Sequence, residues 1–275
     1  MDTSLISAGE HTLAVRRSGN SGPPILFVHG NSCSGRCFDK QLESPLADRY
    51  RLFAIDLPGH GGSSRAAHPD ETYNLPGYAA AISAAAAALE VPDAVVVGWS
   101  LGAYAVVEAI ELLPLARGFL VFGGPPIASN ADLPRVLSSA PEVGAAFRED
   151  STDEEVFALL RRFFRPGFGV PGQFFDDFRR ADKRARAALA ASVARNQVSN
   201  GVRTVGEMQR PLAILHGADE AIALREGLDS LSMPTLWRGR IQDVADAGHA
   251  VQWERPEVFN ALLGDFALDC GARPA

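Results

Sequence analysis

The ten residues VVVGWSLGAY, Val95–Tyr104, set a serine between two glycines where an apolar β-branched run meets a segment suited to helix. Val95, Val96 and Val97 favour a strand buried on both faces. From Leu101 to Leu113 the residues favour helix. A chain that passes from strand to helix within one or two residues forces the residue at the corner into a strained backbone conformation, with its side chain in the open. Glycines two before and two after it, Gly98 and Gly102, let the two backbones approach closely. This is the G-x-S-x-G pattern of a nucleophile elbow in its required strand–turn–helix context. It also puts Ser100 at a strand's carboxyl end, where open α/β sheets build their sites.

Working outward, ILFVHG (Ile25–Gly30), RLFAIDLPG (Arg51–Gly59), AVVVGWS (Ala94–Ser100) and FLVFGG (Phe119–Gly124) are short apolar runs that each end in a turn. They read as strands of a parallel sheet, separated by helices over Cys37–Ala47, Gly77–Glu90 and Leu101–Leu113. His11–Gly19 reads as an antiparallel edge strand. The alternation predicts an α/β fold. From about Pro125 the texture changes to charged, helix-period stretches, Asp153–Phe164 and Asp176–Asn196. It returns to strand and helix with PLAILHG (Pro211–Gly217), RIQDVADAGH (Arg240–His249) and a closing helix over Pro256–Leu268. The expectation is a core of residues 1–124 and 210–275, mostly parallel sheet flanked by helices, with an inserted helical cap at 125–209 over the strand ends.

A chain of 275 residues, 47% hydrophobic, can bury one large core. Its net charge of −7 opposes electrostatic binding to nucleic acid or to an anionic membrane. The opening MDTSLISAGE lacks the basic and apolar regions of a signal peptide. The Ala-rich run Ala79–Leu89 is too short to span a bilayer. A soluble, cytoplasmic protein is expected; oligomeric state is not legible. Cys33, Cys37 and Cys270 make no disulfide framework, and no second Cys or His pair completes a metal site with Cys33 and Cys37. DLPGHGGSS (Asp56–Ser64) carries neither phosphate-binding glycine pattern and reads as a structural turn, with His60 a loop residue.

A serine nucleophile needs a base, an acid to orient that base, and donors for an oxyanion. Of six histidines, His249 in DAGHAVQWERPE follows the last core strand, so it reaches the same sheet edge as the elbow. The acid should follow LAILHG, where Asp219 and Glu220 stand side by side. Counting three residues past Gly217 favours Glu220, with Asp219 the alternative. The order Ser, acid, His is that of α/β-hydrolases. Expected oxyanion donors are the backbone N–H groups of Leu101, at the helix start, and of Asn31, in HGNSCSG. The Asn31 side chain is also a candidate substrate contact, as is Trp99. In the cap, Phe157, Leu160, Phe163 and Phe164 are candidates to meet an apolar tail or to hold the cap to the core.

These motifs resemble the α/β-hydrolase superfamily over essentially the whole chain. Within it, HGNSCSG, DLPGHG, VVGWSLG, GGPPIA, ADE, LWRG and DAGHA are similar to the cofactor-free N-acyl-homoserine lactonases of the AidH type. The resemblance implies an α/β-hydrolase fold, no metal or other cofactor, and Ser100, Glu220 and His249 as a triad with Asn31 at the oxyanion. It implies a small ester or lactone with an apolar acyl chain as substrate. The segment VFALLRRFFR (Val156–Arg165) has no counterpart of the Tyr which that family carries in its cap. No two histidines form the H-x-H of metal-dependent lactonases, and Ser100 replaces the Asp nucleophile of dehalogenases of this fold. A general carboxylesterase, a carbon–carbon bond hydrolase, a cofactor-free perhydrolase and a ligand receptor on a hydrolase scaffold share the same signature.

Overall fold

A computed structural model describes residues 1–274. Strands β1 (Asp2–Ala8), β2 (His11–Ser18), β3 (Pro24–Val28), β4 (Arg51–Ile55), β5 (Val95–Trp99), β6 (Gly118–Phe122), β7 (Leu212–Gly217) and β8 (Gln242–Val244) form one sheet. Their order is β1-β2-β4-β3-β5-β6-β7-β8. Pairing is antiparallel from β1 through β2 to β4 and parallel from there on. Every residue of β3, β5 and β6 is buried, because helices cover both faces of the parallel part. Alternate residues serve opposite layers. Leu26, Val28, Val96 and Val121 pack with helices Leu75–Ala88 and Leu101–Ala109. Ile25, Phe27, Val97 and Phe122 pack towards Phe259, Leu263 and Phe266 of helix Pro256–Asp269.

Three expectations are corrected. The sheet edge is β1, and β2 lies inside it, paired on both sides. The alternation in β1 is weak because only Ala8 is fully buried there. The predicted helix Cys37–Ala47 is instead a chain of single turns, Gly35–Phe38, Asp39–Leu42 and Pro45–Asp48, because Pro45 interrupts the backbone ladder and Ser44 caps a new start. The predicted helix Asp176–Asn196 is two helices, Gly172–Arg180 and Lys183–Ala194. The break falls at Asp182, whose carboxylate caps the second helix and accepts from the Tyr73 hydroxyl at 2.8 Å.

The turn after β4 is built around buried polar groups. Asp56 accepts from the N–H groups of Gly35 (2.6 Å) and Gly62 (2.8 Å), which fixes this turn against the loop after β3. His29 donates from Nδ1 to the Gly30 carbonyl at 2.8 Å and accepts at Nε2 from the Leu57 N–H at 3.0 Å. His60 stacks at a tilt 5.0 Å from it, donating to the Pro58 carbonyl. Burial lowers the pKa of His29 to about 4 and that of His60 to about 3, so both stay neutral in the folded protein.

Both histidines take up a proton near pH 6.5 once unfolded. Between that pH and about 4 the unfolded chain therefore binds more protons at these sites, and their contribution to stability falls as pH falls. The thermal midpoint should drop from pH 7.5 to pH 5, and a His60→Asn variant should show a shallower drop. Parallel curves for the two proteins would contradict this.

Candidate active site

Ser100 ends β5 and begins helix Leu101–Ala109, with φ 56° and ψ −118°. Positive φ is strained for a residue with a Cβ. The strain is sustained from both sides: the Ser100 N–H donates to the Phe122 carbonyl of β6 at 2.9 Å, and its carbonyl accepts from Ala103 at 2.9 Å. A Cβ at Gly98 would collide with the Gly102 carbonyl, and one at Gly102 with the Val28 carbonyl. The elbow thus needs both glycines for close approach. The Ser100 side chain caps nothing in its own helix, so its hydroxyl is free.

The loop after β8 carries His249, whose side chain is 1% exposed. Its Nδ1–H donates to Glu220 Oε2 at 2.8 Å. The second oxygen of Glu220 accepts from the N–H groups of Ile222 (2.7 Å) and Ala223 (3.1 Å). Burial alone would raise the Glu220 pKa, but the His249 ring and the two backbone donors outweigh it and hold the carboxyl below its usual range. An ionised carboxylate on Nδ1 leaves Nε2 as the basic nitrogen. That Nε2 is buried and makes no hydrogen bond to Ser100 or to any other group among the described residues. Trp99 supports the loop from beneath, its indole N–H donating to the His249 carbonyl at 2.8 Å.

The segment between β6 and β7 bonds to each of the three loops. Its Phe163 carbonyl accepts from the Ala250 N–H at 2.9 Å. The buried Glu254 joins the Arg165 N–H (2.8 Å) to the Gly248 N–H (2.6 Å). Ser138 N–H donates to the Ile222 carbonyl at 2.8 Å, beside the acid. On the third loop, Asn31 donates from Nδ2 to the Ala146 carbonyl at 2.7 Å and accepts from Ser32 Oγ at 3.2 Å. Arg186, 4% exposed, donates to Ser32 Oγ at 3.3 Å and to the carbonyls of Arg148 and Glu149. The backbone N–H groups of Asn31 and Leu101 donate to no loop or side-chain acceptor among the described residues.

Asn31, Ser100, Leu101 and His249 all border one cavity of about 300 Å³, in the range of small-molecule sites. Its other walls include Leu133, Leu137, Val143, Leu159, Phe163 and Leu189. Of the residues expected to meet substrate, Asn31 and Phe163 do border it. Phe157 does not: it is 48% exposed and faces an outer groove shared with Asp219. Leu160 points into the core beside the cavity, and its neighbour Leu159 takes the wall position. Phe164 packs on Phe168 and Phe174. Trp99 is fully buried among Phe122, Phe163 and Phe174, where it props the His249 loop. Leu189, Ala190, Val193 and Ala194, on helix Lys183–Ala194, also border the cavity and went unread in sequence. The one signal was an apolar AALAASVA run within an Arg-rich stretch.

A free hydroxyl, an oriented imidazole and two unspent N–H donors around an apolar cavity suit acyl transfer through serine. Cys33 and Cys37 are buried thiols away from this cavity, and Cys270 lies at the end of helix Pro256–Asp269. No helix among the described residues is long and apolar enough to cross a membrane.

The sequence pattern described as the alpha/beta hydrolase family matches residues 25–262. A pimeloyl-[acyl-carrier protein] methyl ester esterase of Xanthomonas campestris pv. campestris is 31% identical over 218 residues, 78% of this chain and 75% of its own. The 2-(acetamidomethylene)succinate hydrolase of Mesorhizobium japonicum is 28% identical, over 95% of this chain and 93% of its own. A crystal structure of the N-acyl homoserine lactonase AidH, a serine-to-glycine mutant complexed with N-hexanoyl homoserine lactone, superposes with a TM-score of 0.93 at 33% identity, covering 98% of each chain. A glutamate-to-glycine mutant of that enzyme complexed with N-hexanoyl homoserine matches equally, at a TM-score of 0.93 and 33% identity over 98% of this chain and 97% of the other.

Proposed function

The chain belongs to the alpha/beta hydrolase family, and on that premise we propose that it opens the ring of N-acyl-homoserine lactones by serine catalysis. The observation that carries this reading is the cavity: a strained, uncapped Ser100 and His249, whose ring Glu220 holds by hydrogen bond, border one small, mostly apolar chamber. The match to AidH along nearly the whole chain supports the choice of substrate.

Ser100 Oγ attacks the lactone carbonyl carbon while its proton passes to His249 Nε2. Glu220 stabilises the imidazolium so formed. The carbonyl oxygen, now an anion, takes hydrogen bonds from the Asn31 and Leu101 N–H groups; losing one such donor costs roughly 10² to 10³ in rate. The carbon–oxygen ring bond then breaks, and the imidazolium gives its proton to the departing ring oxygen. This leaves an ester on Ser100 whose acid part carries the new hydroxyl. Water, losing its proton to His249, attacks that ester and releases the N-acyl-homoserine, with Ser100 re-protonated.

The test is proton release from N-hexanoyl homoserine lactone, followed with a pH indicator in the presence of EDTA. Ring opening that is indifferent to EDTA is expected. Turnover of p-nitrophenyl butyrate without ring opening would replace the lactonase reading with a general carboxylesterase, the reading favoured by the esterase relative.

A further inference from the structure

Among the residues bordering the catalytic cavity, only Asn31, Ser100, Tyr104 and His249 carry polar side chains. Three of these are committed. Ser100 and His249 belong to the proposed chemistry, and the Asn31 amide is tethered at both ends, to Ala146 and Ser32. The Tyr104 hydroxyl hydrogen-bonds to no group among the described residues. Tyr104 lies one turn after Ser100 in the chain, its N–H donating to the Ser100 carbonyl at 3.3 Å, and both residues border the cavity. Its ring and the Ser100 backbone carbonyl both lie close to Gly124. Burial and the nearby Glu220 carboxylate push the phenol pKa up, so the hydroxyl keeps its proton and can donate.

A polar group carried into so apolar a chamber costs free energy unless it finds a partner there. The reacting carbonyl has the Asn31 and Leu101 N–H groups. A second acceptor on the same small molecule, a few bonds from that carbonyl, has the Tyr104 hydroxyl. We infer that Tyr104 is a specificity residue, which selects esters or lactones bearing an amide or keto oxygen next to the reacting group over plain alkyl analogues. In an N-acyl-homoserine lactone, whose hydrolysis is the reading this rests on, the acceptor is the acyl amide oxygen. The phenol then holds the ring in register with Ser100, and the apolar walls take the acyl tail.

The experiment compares wild type with Tyr104→Phe on two lactones of the same ring size, N-hexanoyl homoserine lactone and γ-decalactone. The variant should lose about 10-fold in kcat/KM on the amide-bearing lactone, the worth of one neutral hydrogen bond at the upper end of its range, and stay within a factor of two on γ-decalactone. Thermal midpoints are read alongside, because the substitution removes one unpaired oxygen and should leave the fold intact. Equal losses on both lactones, or none on either, would overturn the assignment. If wild type opens neither lactone, the lactonase reading fails separately, and the same comparison is made with p-nitrophenyl N-acetylglycinate and p-nitrophenyl pentanoate. A loss confined to the amide-bearing ester upholds the role of Tyr104, and equal behaviour on both overturns it.

Discussion

Ser100→Ala should lower kcat for lactone or ester hydrolysis by roughly 10⁴-fold or more, the scale on which removal of a triad nucleophile acts. Binding should survive, because the cavity walls are untouched and the lost atom is one unbonded hydroxyl. A calorimetric Kd for N-hexanoyl homoserine lactone within a few-fold of the wild-type KM would show this. The elbow makes a further distinction between two replacements. Alanine keeps a Cβ at φ 56° and so keeps the strain, whereas Ser100→Gly releases it. The glycine variant should therefore unfold at a higher temperature than the alanine variant, the difference being worth about 1 kcal/mol. Residual turnover of a tenth of wild type in either variant would remove Ser100 from the chemistry.

The elbow could be read in sequence because its constraints are local. Gly98 and Gly102 answer backbone collisions within five residues, and the valines before them declare a buried strand. The sheet-edge position of Glu220 was legible for a similar reason, since it follows the apolar strand β7 at a turn, whereas His249 follows a three-residue strand, Gln242–Val244, with Asp243 exposed. The cavity walls were not legible. Leu133, Leu137 and Val143 lie in short turns with no sustained period to read. In helix Asp153–Arg161 the period identifies a buried face correctly, yet one face meets two environments. Leu159 borders the chamber while Val156 and Leu160 join the core, and Phe157 turns outward. That choice depends on where the helix docks, which is set by Phe163, Glu254 and Asn31 across long sequence separations. The β1 strand was missed because its partner β2, and not its own apolar content, holds it in place.

The adjacent carboxylates Asp219 and Glu220 should respond oppositely to loss of charge. Glu220→Gln should lower kcat by roughly 10³ to 10⁴, while Asp219→Asn stays within a factor of two. The amide of the first variant is close in size to the carboxylate and can still accept from the Ile222 and Ala223 N–H groups, so the loop need not collapse. What it lacks is the negative charge opposite His249 Nδ1. Its NH₂ end, turned to the ring, favours the tautomer with the proton on Nε2, which is the atom that must take the Ser100 proton. Asp219 has no such leverage: its side chain is exposed on the outer groove, and only its backbone N–H is committed, to the Ala247 carbonyl at 2.9 Å. The pH profile carries an independent mark. Because the wild-type Glu220 carboxyl lies below its usual range, it stays ionised across the neutral and mildly acidic region, and its charge adds no step to the rate there. The Gln variant should therefore stay slower than wild type throughout pH 6 to 9. Full recovery of the wild-type rate anywhere in that window would show that the charge of Glu220 is not what the variant lacks. A large loss in Asp219→Asn with Glu220→Gln near wild type would transfer the role to the neighbour.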